Sequence, residues 1–142
     1  MKQILLNNQR KPFLRIARIT FSIFLLLLVC NKTKASDYYW VGGTGNWSDY
    51  ANHWATTSGG LIFHIQVPSA FDNVYFDANS FSASGQSLTV DSTNIFCNDM
   101  NWTGVLFNPS LAFSGNSSNI KIYGSLTLAS NMTFGTANNY GY

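Results

Sequence analysis

Short apolar pairs, two residues apart and separated by turn residues, constrain this chain most. They are Val74/Phe76, Leu88/Val90, Met100/Trp102, Leu111/Phe113, Ile120/Ile122, Leu126/Leu128 and Met132/Phe134. Residues two apart on a strand face the same side, so each pair can point into one core. Thr89, Ala112, Lys121 and Thr127 then lie on the opposite face. Between the pairs sit clusters such as Asp91-Ser92-Thr93-Asn94 and Ser114-Gly115-Asn116-Ser117-Ser118-Asn119, which are turn-forming. Beyond residue 35 there is no Glu and no Arg, and the only basic residue is Lys121. With helix formers this scarce, the expected class is all-β.

The pairs also recur at longer range. Leu88/Val90, Leu111/Phe113 and Met132/Phe134 are spaced by 23 and 21 residues. Met100/Trp102 precedes Ile120/Ile122 by 20, and Val105/Phe107 precedes Leu126/Leu128 by 21. Ser87-Leu88-Thr89-Val90 also resembles Ser125-Leu126-Thr127-Leu128. A period above about 20 residues is what stacked solenoid coils produce. The alternative is a β-sandwich, whose strands also recur at short intervals.

Charge divides the chain at Ala35/Ser36. Seven of the eight Lys/Arg residues lie at or before Lys34, and all six Asp residues lie after it. Basic residues from Lys2 to Arg18, the apolar run Ile19 to Cys30 and Thr33-Lys34-Ala35 match a secretory leader with its cleavage site. Residues 1–35 are therefore expected to be a signal peptide, and the remainder to be secreted or held on the outer cell surface. Competing readings are a retained anchor, for which the apolar run is short of the roughly 20 residues a spanning helix needs, and a lipid on Cys30. With six Asp against Lys121 alone, the exported part lacks the cations that nucleic-acid binding requires. Cys97 stands alone there, which suits a buried apolar side chain better than a disulfide framework.

The segment Tyr38-Tyr39-Trp40-Val41-Gly42-Gly43-Thr44-Gly45-Asn46-Trp47-Ser48-Asp49, followed by Asn52-His53-Trp54, is distinctive. With Val67-Pro68-Ser69-Ala70-Phe71-Asp72-Asn73-Val74-Tyr75-Phe76-Asp77, it resembles the amino-terminal opening of large secreted β-solenoid, adhesin-like surface proteins of Bacteroidetes-type bacteria. Asn98-Asp99-Met100-Asn101-Trp102-Thr103-Gly104 and Ile122-Tyr123-Gly124-Ser125-Leu126-Thr127-Leu128 look like the first coils of that family. The resemblance implies a right-handed parallel β-helix of the pectin-lyase-like kind under an aromatic cap, with the cap at 36–72 and the coils at 73–142. Such proteins are usually longer, so it also implies that the chain is a fragment. The implied role is non-catalytic display toward glycans or a host or substratum surface. Asp91-Ser92-Thr93 resembles an O-glycosylation site of this bacterial group, at Ser92.

Trp40, Trp47 and Trp54 recur every seven residues. As a carbohydrate-binding module, they and Tyr39 would form a platform for sugar rings. As a cap, the indoles would fold over the first coil, with Gly42, Gly43 and Gly45 permitting close backbone approach. Asp49, Asp72 and Asp77 with Asn46 and Asn73 offer oxygen ligands but no calcium-loop spacing, so turn chemistry is the expected role and no metal or cofactor is expected. A polysaccharide hydrolase would need paired carboxylates, for which Asp91 and Asp99 are the candidates; a lyase would have only Lys121 for its cation. His53 and His64 have no evident partners. No catalytic residue is nominated.

Overall fold

The computed structural model describes residues 34–115 and 117–134. The expected leader up to residue 33, Cys30 within it, and the last residues of the expected coil region, 135–142, lie outside the described residues.

The described chain is all-β, with one helical turn. The strands are β1 (Asp37–Trp40), β2 (Gly45–Asn46), β3 (Trp54–Ala55), β4 (Asn73–Tyr75), β5 (Ser87–Val90) and β6 (Ile95–Cys97). They continue as β7 (Met100–Asn101), β8 (Ser110–Phe113), β9 (Ile120–Ile122), β10 (Leu126–Thr127) and β11 (Thr133–Phe134). The helical turn, α1, is Tyr50–His53. Three sheets result, ordered β10-β7-β4-β1-β3, β11-β8-β5-β2 and β6-β9.

Seven ladders are parallel, and each joins a strand to the strand three places further along the chain. Only β3, which runs antiparallel to β1, breaks this rule. That pairing is not the antiparallel layering of the alternative sandwich. Residues 26 apart meet in the first sheet (Val74↔Met100, Met100↔Leu126), 23 apart in the second (Leu88↔Leu111, Ser110↔Thr133) and 25 apart in the third (Ile95↔Ile120).

Several expected alignments shift accordingly. Leu88 does meet Leu111, but Leu111 meets Phe134 rather than Met132. Met100 lies beside Leu126, and Ile120 beside Ile95. Ser87–Val90 and Ser125–Leu128 contribute to different sheets despite their likeness. The reason is general: alternation looks the same in every sheet, so matching apolar pairs does not reveal which sheet a pair joins. Phe107 is no strand residue at all. Its φ is +66°, in the turn leading to Pro109.

The expected boundary at residue 73 falls between strands that pair with one another. β1 and β2 lie within 36–72 yet already form the first rungs of two sheets (Asp37↔Asn73, Gly45↔Leu88). The Asp37–Asn73 offset is 36 residues because α1, β3 and the excursion 56–71 are inserted between these rungs.

The inward columns carry the core. Tyr38, Val74 and Met100 occupy one, and Phe76 and Trp102 stack face to face with centroids 3.8 Å apart. Leu88, Val90, Ile95, Cys97 and Leu111 close the interior from the other sheets. Leu126, Leu128 and Phe134 are half-exposed, and among the described residues β10 and β11 each have a strand on one side only. Phe76 is fully buried and touches Trp40, Trp54 and Trp102. Phe76→Ala should therefore cost about 3–5 kcal/mol of stability, the range for deleting a core aromatic. Urea unfolding followed by near-ultraviolet circular dichroism measures this, and a loss below about 1 kcal/mol would contradict the stacked core.

Candidate functional site

The tryptophan block follows from its glycines and from His53. Gly42 and Gly43 have φ of +83° and +78°, a region open to glycine at little cost. A Cβ at Gly45 would collide with the His53 imidazole. His53 ends α1, and its Nδ1–H donates to the Val41 carbonyl at 2.7 Å. Its ring lies flat against Trp40, with centroids 4.5 Å apart and planes 6° apart. Trp54 meets Trp40 and Trp47 edge to face, at 5.0 and 4.8 Å. Trp40 Nε1 donates to Gly43 O at 2.8 Å, and Trp54 Nε1 to Trp47 O at 2.9 Å. Trp47 Nε1 has no partner among the described residues, so backbone satisfies two of these three indoles.

This geometry corrects the platform expectation. Trp40, Trp47 and Trp54 are 0–1 % exposed, and their planes cross at steep angles. A sugar ring stacks on an exposed aromatic face, and these faces already pack on one another. The indoles are core.

Of the four aromatic residues expected to hold a glycan, only Tyr39 faces outward. It lies over Tyr75 with centroids 5.0 Å apart and planes 18° apart, as the in-register pairing of β1 and β4 requires. Tyr38 alternates inward, where its ring stacks on His64 at 3.6 Å. Burial, then the Asp37 and Asp77 carboxylates, raises the pKa of Tyr39 above its ordinary value. Burial, then Asp37, with Tyr39 and Asp99 adding, does the same for Tyr75. Both hydroxyls lie beside carboxylates, Tyr39 near Asp37 and Asp77 and Tyr75 near Asp37 and Asp99. Tyr75 was not singled out by sequence, though a signal existed: Asp37-Tyr38-Tyr39 and Asn73-Val74-Tyr75 share the order polar, inward, tyrosine.

The carboxylates serve as joints. Asp72 is buried and accepts from Ser36 N, Ser69 N and Ser69 Oγ at 2.6–2.8 Å. Asp91 accepts from Ser48 N and Ser48 Oγ, and Asp99 accepts from Ser125 N at 2.6 Å. Asp77 and Asp49 bond Asn79 N and Asn52 Nδ2 in local turns. Asp91 and Asp99 are thus each engaged with a different serine. Among the described residues no group of three or more His, Cys or acidic side chains is placed to hold a metal ion. His64 Nε2 lies 3.1 Å from Asp37 O, so both histidines have structural partners. Ser92 sits in the bend after Asp91, half-buried, with its carbonyl accepting from Asn119 N. Lys121 Nζ lies 5.5 Å from the centre of the Phe96 ring, its in-register neighbour on β6. Comparison with protein-family models, with curated proteins and with solved structures finds no match to this chain.

The burial of all four tryptophans predicts a blue-shifted emission that iodide barely quenches and sugars do not perturb. Strong quenching in the folded protein would restore the platform.

Cys97 is buried, and burial, with Asp99 adding, pushes its thiol from 9.0 up to about 12. The folded state then holds a proton that the unfolded state releases, so stability falls as pH rises from 9 toward 12. The raised phenols of Tyr38, Tyr39 and Tyr75 act in the same direction above 10. Denaturant midpoints should therefore decline through this alkaline window, and Cys97 should resist alkylation at pH 8 until the chain is unfolded. Rapid labelling of native protein would contradict the burial.

Proposed function

We propose that this chain is the amino-terminal part of a non-catalytic, adhesin-like protein, secreted or held on the outer cell surface. Its body is the start of a right-handed parallel β-helix, and its role is to display a stiff face to glycans or to a host or substratum surface. The observation that carries this reading is the parallel pairing of each strand with the one three places on. Coils stacked this way resist bending and repeat equivalent residues along an axis, which gives many weak contacts on one face.

The outward column Tyr39, Tyr75, Asn101 and Thr127 is the face that supports glycan contact. Its hydroxyls and amide bond sugar hydroxyls, and the tyrosine edges add apolar area. The carboxylates of Asp91 and Asp99, which a hydrolase would need free, are occupied by serine donors, in keeping with passive binding.

The test uses protein recovered from the medium of cells expressing the full-length chain. Its first residue should be Ser36, and it should bind a subset of immobilised glycans. Tyr75→Ala should weaken that binding by up to about tenfold, the scale of one aromatic contact. Retention in the cytoplasm, or release of sugar fragments from polysaccharide, would overturn the reading.

A further inference from the structure

The excursion between β3 and β4 holds a feature that neither the stacked rungs nor the outer tyrosines use. From Thr56 to Phe71 there is no Asp, Glu, Lys or Arg. Within it Leu61 and Ile65 are 89 % exposed, Ile62 74 % and Phe71 63 %. Monomeric proteins rarely gather so much apolar side chain in water without a partner for it.

The backbone gives this stretch a direction. Phe63 bridges Ala55 antiparallel. Thr56 N donates to Ile62 O and His64 N donates to Trp54 O, both at 2.9 Å. These bonds flank Phe63, so the N–H and C=O of Phe63 itself point away from β3. Phe63 therefore lies in the outermost lane of the first sheet, with a donor and an acceptor turned outward. Natural proteins guard such edges with charge, proline or a covering element. Here Leu61-Ile62-Phe63-His64-Ile65-Gln66-Val67 is uncharged, β-prone and free of proline up to Pro68.

We infer that a second copy of this chain pairs with this edge, residues 62–64 lying antiparallel to their counterparts about a two-fold axis, between the bends at Leu61 and Ile65, and extending the first sheet across a dimer. Three features select that partner. The donor and acceptor of one residue are met by a strand related to it by two-fold rotation, so the edge is complementary to itself. The pairing is isologous and uses up the edge, so it closes at two copies. Charge selects as well. Beyond Lys34 the chain carries six Asp against Lys121 alone, so copies repel one another over most of their surface but not at this neutral strip. The same negative charge opposes an anionic lipid surface. Backbone bonds hold such an added strand, and Leu61 and Ile65 leave water on its faces.

The experiment is sedimentation equilibrium on protein recovered from cells expressing the full-length chain. Wild type should show twice the single-chain mass at about 10 μM, the range of a micromolar interface. Ile65→Lys and Leu61→Lys alter exposed positions and should keep the buried tryptophan emission. Each should weaken association at least about tenfold by placing unpaired charge at the interface. Leu126→Lys, on the opposite edge of the same sheet, should leave it unchanged. The Phe63 amide should be protected from hydrogen exchange in wild type and should exchange in the Ile65→Lys monomer. Four results would overturn the inference: a wild-type monomer, a dimer indifferent to both edge lysines, a dimer lost through Leu126→Lys instead, or mass that grows without closing at two. A monomer that sediments with phosphatidylcholine vesicles would assign the strip to lipid.

Discussion

Register between strands three apart is the constraint on which the rest of the molecule depends. Once Asp37-Tyr38-Tyr39 lies beside Asn73-Val74-Tyr75, and Val74-Tyr75 beside Met100-Asn101, every side chain belongs to a column. Tyr38, Val74, Met100 and Leu126 run down the inside, and Tyr39, Tyr75, Asn101 and Thr127 down the outside. A slip of one residue would exchange the columns, burying Tyr39 and Asn101 and exposing Met100. Side chains guard against that slip. Asn73 Nδ2 donates to Asp37 Oδ1 at 3.0 Å, Asn98 Nδ2 donates to Asn73 Oδ1 at 2.9 Å, and Ser125 N donates to Asp99 Oδ1. These bonds join successive rungs at the start of the strands, where a register error would begin.

The acidic residues make sense in that frame. Asp72 ties Ser36 to Ser69, and Asp91 reaches back to Ser48, so each spans the segment that separates one rung from the next. An aspartate suits this work because its carboxylate sits one carbon from the backbone and accepts from main-chain N–H groups without ordering a long side chain. A glutamate would lose more rotamer entropy for the same bonds. Among the described residues Asp72 and Asp91 thus secure turns, and the outward column is built from neutral hydroxyls, an amide and phenol rings.

Much of this was legible in the residues. The alternation of Val74/Phe76 and Leu88/Val90 and the poverty of helix formers led to an all-β chain, and the glycines among the tryptophans led only to a cap folded over the first coil, with close backbone approach. What was not legible had a common physical cause. Connections of different length separate the rungs, so the offset is 26 residues in one sheet and 23 in another, and no single period survives. The insertion after β2 stretches the first offset to 36, which hid the kinship of Tyr39 with Tyr75. Indoles also read alike from sequence whether they stack on a sugar or on a histidine. Trp40 is decided by His53, thirteen residues away, whose position depends in turn on Gly42 and Gly45 leaving room for its ring.

The two edges of the first sheet complete the argument, because one core meets solvent there in two different ways. At β10 the inward column continues as Leu126, half-exposed, in register with Met100. Its shape is that of another rung, and any strand added there would have to repeat the inward-outward alternation to bury it. At the Phe63 edge the inward face already ends in Trp54, fully buried and in register with Trp40, so nothing beyond that edge is needed to keep the core dry. Apolar residues such as Leu61 and Ile65 therefore do not serve this chain's own interior. Their presence costs solubility unless something outside the fold covers them, and a neutral strand bearing its own donor and acceptor is best matched by another strand of the same kind.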